Sequence, residues 1–229
     1  MKKTKIDWCD STINPVIGCG NGCPYCYAER LNKRFKFVED WTKPQFFPER
    51  LKELYSKKPK TIFMDSMSDV CWWDSEWAYP VFKAMEENPQ HAYIFLTKKW
   101  KWPSALPELM VLRSIRCLKN IFFGKSINYN NQYSAEEHYD FISIEPILEP
   151  IDLHMVKHSL YTKVVIIGAE TGNRKGKVIP KKEWIMDIVK ECDKAFNVKV
   201  FMKESLRELM GEDFRQDKLP WQEYVEGWL

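Results

Sequence analysis

The stretch Gly18-Cys19-Gly20-Asn21-Gly22-Cys23-Pro24-Tyr25-Cys26-Tyr27 sets three cysteines at C-x₃-C-x₂-C spacing in a glycine-rich loop. Thiolates are the soft ligands that iron–sulfur clusters and zinc prefer, and three of them so close in sequence can wrap only one compact object. The glycines allow sharp turns that bring backbone amides towards sulfur. Structural zinc takes four ligands, and its signatures come as two separated pairs. Here there is a triplet, and Cys9, Cys71, Cys117 and Cys192 stand alone in sequence. Three cysteines on a cubane leave one iron without a protein ligand, an open position for chemistry. The competing reading is a zinc knuckle closed by Cys9 or a histidine.

Working outward, Ile13 to Ile17 is short, β-branched and followed by glycine, so it reads as a first strand entering the loop. From Tyr25 to Phe35 the residues Tyr27, Ala28, Leu31 and Phe35 recur at helical spacing. Cys26 falls at the start of that helix, where free amides and the positive dipole end favour a thiolate. Proline at its first position marks a short helix over 48–57, and Pro80 sets the start of another that ends before Pro89.

Six further apolar runs follow, at 61–65, 93–97, 120–124, 141–145, 163–168 and 198–202. Near-continuous apolarity marks strands buried on both faces, as in a parallel sheet covered by helices. The clearest covering helix is 181–196, with Trp184, Ile185, Ile188, Val189 and Cys192 along one side. Active sites of such proteins lie at the carboxyl ends of the strands, which gathers the polar segments there with the cysteine loop. Six to seven parallel strands are too few for a closed eight-stranded barrel. The expected fold is therefore α/β, a partial, open (β/α) barrel. It is read as one domain over 1–229, with a lead-in at 1–12, a core at 13–202 and a C-terminal extension at 203–229.

The chain has 229 residues, 45% of them hydrophobic, and 35 basic side chains against 32 acidic ones, a net charge of +3. That content supports a full core, and the weak basic excess argues against binding through a nucleic-acid backbone. No apolar stretch resembles a signal peptide or reaches the length of a membrane span, and seven cysteines, three of them clustered, suit a reducing compartment. A cytoplasmic protein without a membrane partner is expected.

The cysteine loop and strand pattern resemble the radical S-adenosylmethionine (SAM) superfamily across most of the chain. Asp65-Ser66-Met67-Ser68-Asp69, Leu96-Thr97-Lys98-Lys99, Ser143-Ile144-Glu145-Pro146 and Gly168-Ala169-Glu170-Thr171-Gly172 look like one phage and bacterial branch of it, to which no function is assigned. The resemblance implies that Cys19, Cys23 and Cys26 ligate a [4Fe-4S] cluster whose open iron chelates SAM, and that Tyr25 contacts the adenine side. It places Asp65, Ser66 and Ser68 where the SAM ammonium is received, Ser126 and Asn128 near the ribose or carboxylate, and Gly168, Glu170 and Glu145 among the cofactor contacts. It implies reductive cleavage of SAM to a 5′-deoxyadenosyl radical that takes hydrogen from a substrate, with flavodoxin or ferredoxin as electron donor.

Lys98, Lys99 and Lys203 are strand-end cations available to hold a polar, nucleotide-derived substrate. Trp72-Trp73 and Trp100-Lys101-Trp102 pair aromatics with lysine, a pattern that stacks bases, so a second reading is an enzyme acting on a base in DNA or RNA. Tryptophans that plug or cover the barrel are the plainer account of the same residues. A third reading is a zinc-stabilised interaction module without catalysis.

Overall fold

The computed structural model describes residues 4–99, 118–129, 139–153 and 162–229. Trp100, Lys101, Trp102 and Cys117 lie outside the described residues. Nine strands are described: β1 (Ser11–Thr12), β2 (Val16–Ile17), β3 (Gln45–Phe46), β4 (Thr61–Phe63), β5 (Ala92–Thr97), β6 (Ile121–Ser126), β7 (Phe141–Ile144), β8 (Val164–Ile167) and β9 (Lys199–Met202). Seven of them form an open sheet in the order β1-β4-β5-β6-β7-β8-β9. The pairs β1–β4, β4–β5, β6–β7, β7–β8 and β8–β9 are parallel. Strand order follows chain order without reversing, which sets the sheet apart from the doubly wound kind.

The first strand differs from expectation. Ser11–Thr12, assigned to the lead-in, is the edge strand of the parallel sheet, whereas Val16–Ile17 pairs antiparallel with Gln45–Phe46 in a separate ribbon. Pro15 stands between them. It has no N–H to continue the ladder, and its carbonyl instead accepts from the Phe47 amide at 2.7 Å.

The chain divides into two compact units, residues 1–122 with 220–229, and residues 123–219. In the first, α1 (Tyr27–Phe35) begins at Cys26 and ends at Lys36, whose φ of 53° turns the chain out of the helix. Asn32 then bonds both the N–H and C=O of Val38 at 3.0 Å. Residues 48–55 form a 3₁₀ helix rather than an α-helix. Helix α2 (Ser75–Glu86) starts five residues earlier than the expected Pro80, because the Asp74 carboxylate caps the Glu76 amide and Pro80 is carried inside the helix.

The C-terminal helix, Pro220–Glu226, belongs to this unit. Trp221 is fully buried, edge-on to Trp8 and Phe122, and donates Nε1–H to the Trp8 carbonyl at 2.7 Å. The lead-in and the tail thus supply core.

In the second unit β7, β8 and β9 are backed by α3 (Lys182–Lys194). Ile142, Ile144, Val165, Ile167, Val200 and Met202 pack on Ile185, Ile188, Val189 and Cys192 in one apolar cluster. Alternation along the strands then turns Ser143 and Ile166 to the opposite face. No helix among the described residues is long and apolar enough to cross a membrane.

Candidate metal centre and strand-end sites

The cysteine loop joins β2 to α1 and is anchored at both ends. Gly18 has φ +115°, and a Cβ there would stand 2.8 Å from Pro44 Cα, so only glycine fits. Its amide donates to the Met67 carbonyl at 3.0 Å, and the Cys19 amide donates to the Trp41 carbonyl at 2.8 Å. At the far end the Cys26 amide closes a turn on the Cys23 carbonyl at 3.0 Å, while Cys26 Sγ caps α1 by accepting from the Glu29 amide at 3.4 Å. Below lies a small core of Ile17, Ala28, Val38 and Met67.

All three thiols are free and half-buried. The Cys19 thiol is pushed up to about 12, first by burial, with a hydrogen bond from the Asn21 backbone amide opposing and the charges of Asp69, Cys23 and Cys26 adding. Cys26 is raised by burial, with hydrogen bonds from the Glu29 and Ala28 backbone amides opposing and the charge of Cys23 adding. Cys19 and Cys26 therefore both feel the charge of Cys23, and a bound metal would offset both the burial penalty and that repulsion. Among the described residues no group of three or more His, Cys, Asp or Glu is arranged to hold a metal ion. A single zinc gathers its thiolates to about 2.3 Å from one point, whereas a cluster takes each at a different iron. Three soft thiolates on one loop are donors of the type such a cluster takes.

The segment after β4 is laced to this loop. Tyr27 donates its hydroxyl to the Ser66 carbonyl at 2.7 Å, and Asn14 Oδ1 accepts from Ser66 Oγ at 3.0 Å and the Met67 amide at 2.8 Å. Asp65 points inward: its buried carboxylate accepts from the Leu96 amide, and burial, with the charge of Asp69, raises it well above the usual carboxylate range. Ser68 Oγ accepts from Trp73 Nε1 at 3.0 Å.

Lys98 Nζ lies 5.3 Å from the centre of the Tyr25 ring, and Lys99 Nζ 5.3 Å from that of Trp72. The two adjacent tryptophans part company. Trp73 is buried edge-on to Phe95, whereas Trp72 is 39% exposed and lies against the loop, where a Cβ on Gly20 would stand 2.7 Å from its ring.

The second unit holds the remaining strand-end residues. Ser126 is buried on β6, and Asn128, also buried, donates to the Pro146 carbonyl at 2.7 Å. Glu145, joined to Pro146 by a cis peptide bond, forms an ion pair with Lys203 alongside Gly168. Glu170 is buried and accepts both bonds of a forked Arg174 at 2.6 and 2.8 Å, which holds its carboxyl below the usual range. That carboxylate is committed to its own loop.

A family model described as a protein of unknown function, DUF5131, matches residues 3–213. The chain belongs to the DUF5131 family. No curated protein and no solved structure matches it.

Two features of this DUF5131 chain escape a reading of spacing. Asp69 gathers four donors: Asn21 Nδ2 at 2.7 Å, the Cys71 amide at 3.1 Å, Thr97 Oγ1 at 2.8 Å and the Lys98 amide at 2.9 Å. It ties the loop to β5. Cys71, solitary in sequence, lies close enough to Cys19 and Asp69 for their charges to add to the burial that raises its thiol. Only the 3₁₀ turn at Val70–Trp72, capped by Asp69, brings it there.

Proposed function

We propose that this DUF5131 chain is a radical SAM enzyme acting on a small, polar, nucleotide-derived substrate. The observation that carries the reading is the placement of Cys19, Cys23 and Cys26, free and half-buried, on one loop tied to the ends of β4 and β5. A [4Fe-4S] cluster with SAM supplies, when bound, one-electron cleavage of a carbon–sulfur bond and a radical able to remove substrate hydrogen. The chain's own residues do the rest. The three thiolates hold the cluster, and Cys26 does so at a helix N-terminus that favours negative charge. Trp72 lies against the middle of the loop at Gly20. Lys98 and Tyr25 form a cationic and aromatic pair at its rim, suited to the adenine end of SAM. An acidic electron donor of the flavodoxin or ferredoxin kind completes the cycle.

Action on a base within DNA or RNA is the second reading, favoured by the exposed Trp72 with Lys99 over its ring. The burial of Trp73 and the small net charge weigh towards the free small molecule.

Anaerobic reconstitution with iron and sulfide tests the proposal. The expected result is a brown protein with about four irons and four sulfides per chain, which forms 5′-deoxyadenosine from SAM under dithionite. A colourless protein holding one zinc per chain would overturn it in favour of an interaction module.

A further inference from the structure

The ends of β7, β8 and β9 carry a second cluster, wholly within residues 123–219. The register Ile144↔Ile167↔Met202 continues one residue outward to Glu145, Gly168 and Lys203. A Cβ on Gly168 would stand 2.9 Å from Lys203 Cδ and 3.2 Å from Glu145 Cγ, so the ion pair lies directly across that bare backbone. Both side chains are largely buried, at 27% exposure for Glu145 and 14% for Lys203. Two residues inward, on the face away from α3, Ser143 is fully buried and its hydroxyl has no hydrogen-bond partner among the described residues. Ser126 lies opposite it in the β6–β7 register. A polar floor with an unused hydroxyl therefore underlies a charged pair at the edge of the sheet.

We propose that Glu145 and Lys203 recognise the lactam edge of a nucleobase, the neutral –NH–C(=O)– unit; this rests on the reading of a nucleotide-derived substrate. The pair joins Lys203 Nζ to Glu145 Oε1, and among the described residues neither side chain has another partner. Oε2 and two N–H groups of the ammonium are left for a ligand. An anion entering here pulls Lys203 away and leaves a largely buried carboxylate uncompensated, and a cation does the reverse. Breaking such a pair is costly because the remaining charge stays in a poor solvent. A lactam avoids that cost. Its N–H donates to Oε2 while its carbonyl accepts from Nζ, and the pair remains whole. Donor and acceptor sit on neighbouring ring atoms, matching a carboxylate and ammonium already in contact. A carbonyl oxygen also offers the ammonium two lone pairs where a ring nitrogen offers one, which favours uracil, thymine, hypoxanthine and guanine over cytosine and adenine.

The test is calorimetric titration of the anaerobically reconstituted protein, without dithionite, with uridine, inosine, cytidine and adenosine. Uridine and inosine should bind at least about tenfold more tightly than cytidine and adenosine, as expected for a site whose polar groups are left unpaired by the wrong edge. On the unaltered protein 3-methyluridine, in which a methyl group replaces the N–H hydrogen, should lose at least about tenfold. Glu145→Gln and Lys203→Met, checked for a native melting curve, should each erase the preference. Equal binding of the four nucleosides, undiminished binding of 3-methyluridine, or a preference for inorganic phosphate or free methionine would overturn the assignment. These titrations need no SAM cleavage. A protein that makes 5′-deoxyadenosine but shows no lactam preference refutes this inference alone, and one that shows the preference but holds no cluster refutes only the proposed reaction.

Discussion

Asn21 bridges Asp69 and Trp72, donating Nδ2–H to Asp69 Oδ2 at 2.7 Å and accepting Trp72 Nε1–H on Oδ1 at 2.8 Å. One amide in the middle of the cysteine loop thus locks it to the segment after β4, and through Asp69 to Thr97 and Lys98 at the end of β5. Asn21→Ala leaves Asp69 its other donors and should cost about 1–2 kcal/mol, whereas Asp69→Ala orphans several donors at once and should cost about 2–4 kcal/mol. Urea unfolding measures both. An Asp69→Ala midpoint equal to that of the unaltered chain would show that the network does not hold the loop.

The cysteines divide into two classes. Cys19→Ala, Cys23→Ala and Cys26→Ala should each abolish a stable four-iron cluster and with it SAM cleavage. Cys192→Ala should retain both and lose only about 1 kcal/mol of stability, because Cys192 is a buried packing residue on α3. Full iron content in Cys23→Ala would remove the basis of the metal centre.

Gly20 and Trp72 are coupled by contact. A Cβ at Gly20 meets the indole at 2.7 Å, so Gly20→Ala should displace Trp72 and reduce iron retained per chain. Adding Trp72→Ala removes the clash and should restore part of the loss. A double-mutant cycle on iron content and melting temperature measures the coupling, and strict additivity would mean the two do not touch.

Trp221→Ala should destabilise the chain by about 3–5 kcal/mol, as expected for deleting a fully buried indole. The cost also includes the bond to the Trp8 carbonyl at 2.7 Å. Chemical denaturation reads it directly. A loss under about 1 kcal/mol would mean the C-terminal helix is dispensable.

His91 sets a pH dependence. It is fully buried, with Nε2 donating to the Leu54 carbonyl at 2.9 Å, and burial lowers its pKa below the ordinary value of 6.5. The Lys60 charge adds to that lowering. The folded chain therefore holds this imidazole neutral where the unfolded chain protonates it, and the unfolded state binds more protons. The stabilisation is complete above about pH 6.5 and is lost as pH falls from there towards the folded pKa. The stability of His91→Gln, measured by urea unfolding from pH 7.5 to 5, should fall less steeply than that of the unaltered chain. Identical slopes would remove His91 from the acid response.

The parallel sheet was legible because strands buried on both faces must be apolar throughout, and six such runs stand out between polar segments. The cysteine loop was legible because ligand spacing within eight residues is a local property of the chain. The start of the sheet was not. Ser11–Thr12 is two residues long and polar throughout, and it is a strand only because Thr61 to Phe63 lies beside it. The adjacent Trp72 and Trp73 were indistinguishable by composition, and a 3₁₀ turn sends one into the core and leaves the other on the loop.

What the sequence by itself determined is therefore local: which runs are apolar, where the thiols cluster, and that Cys26 opens a helix. Contacts between residues far apart in the chain were decided only by the tertiary structure. Asp69 caps a 3₁₀ turn, a local role, but its service as acceptor for Asn21 and Thr97 is not local, because those partners lie 48 and 28 residues away. Glu145 and Lys203 are separated by 58 residues and meet because strands β7, β8 and β9 run in register and Gly168 leaves room between them. Side-chain chemistry is written in the chain, but which groups share a face depends on register, and register is set by the burial of whole strands against α3.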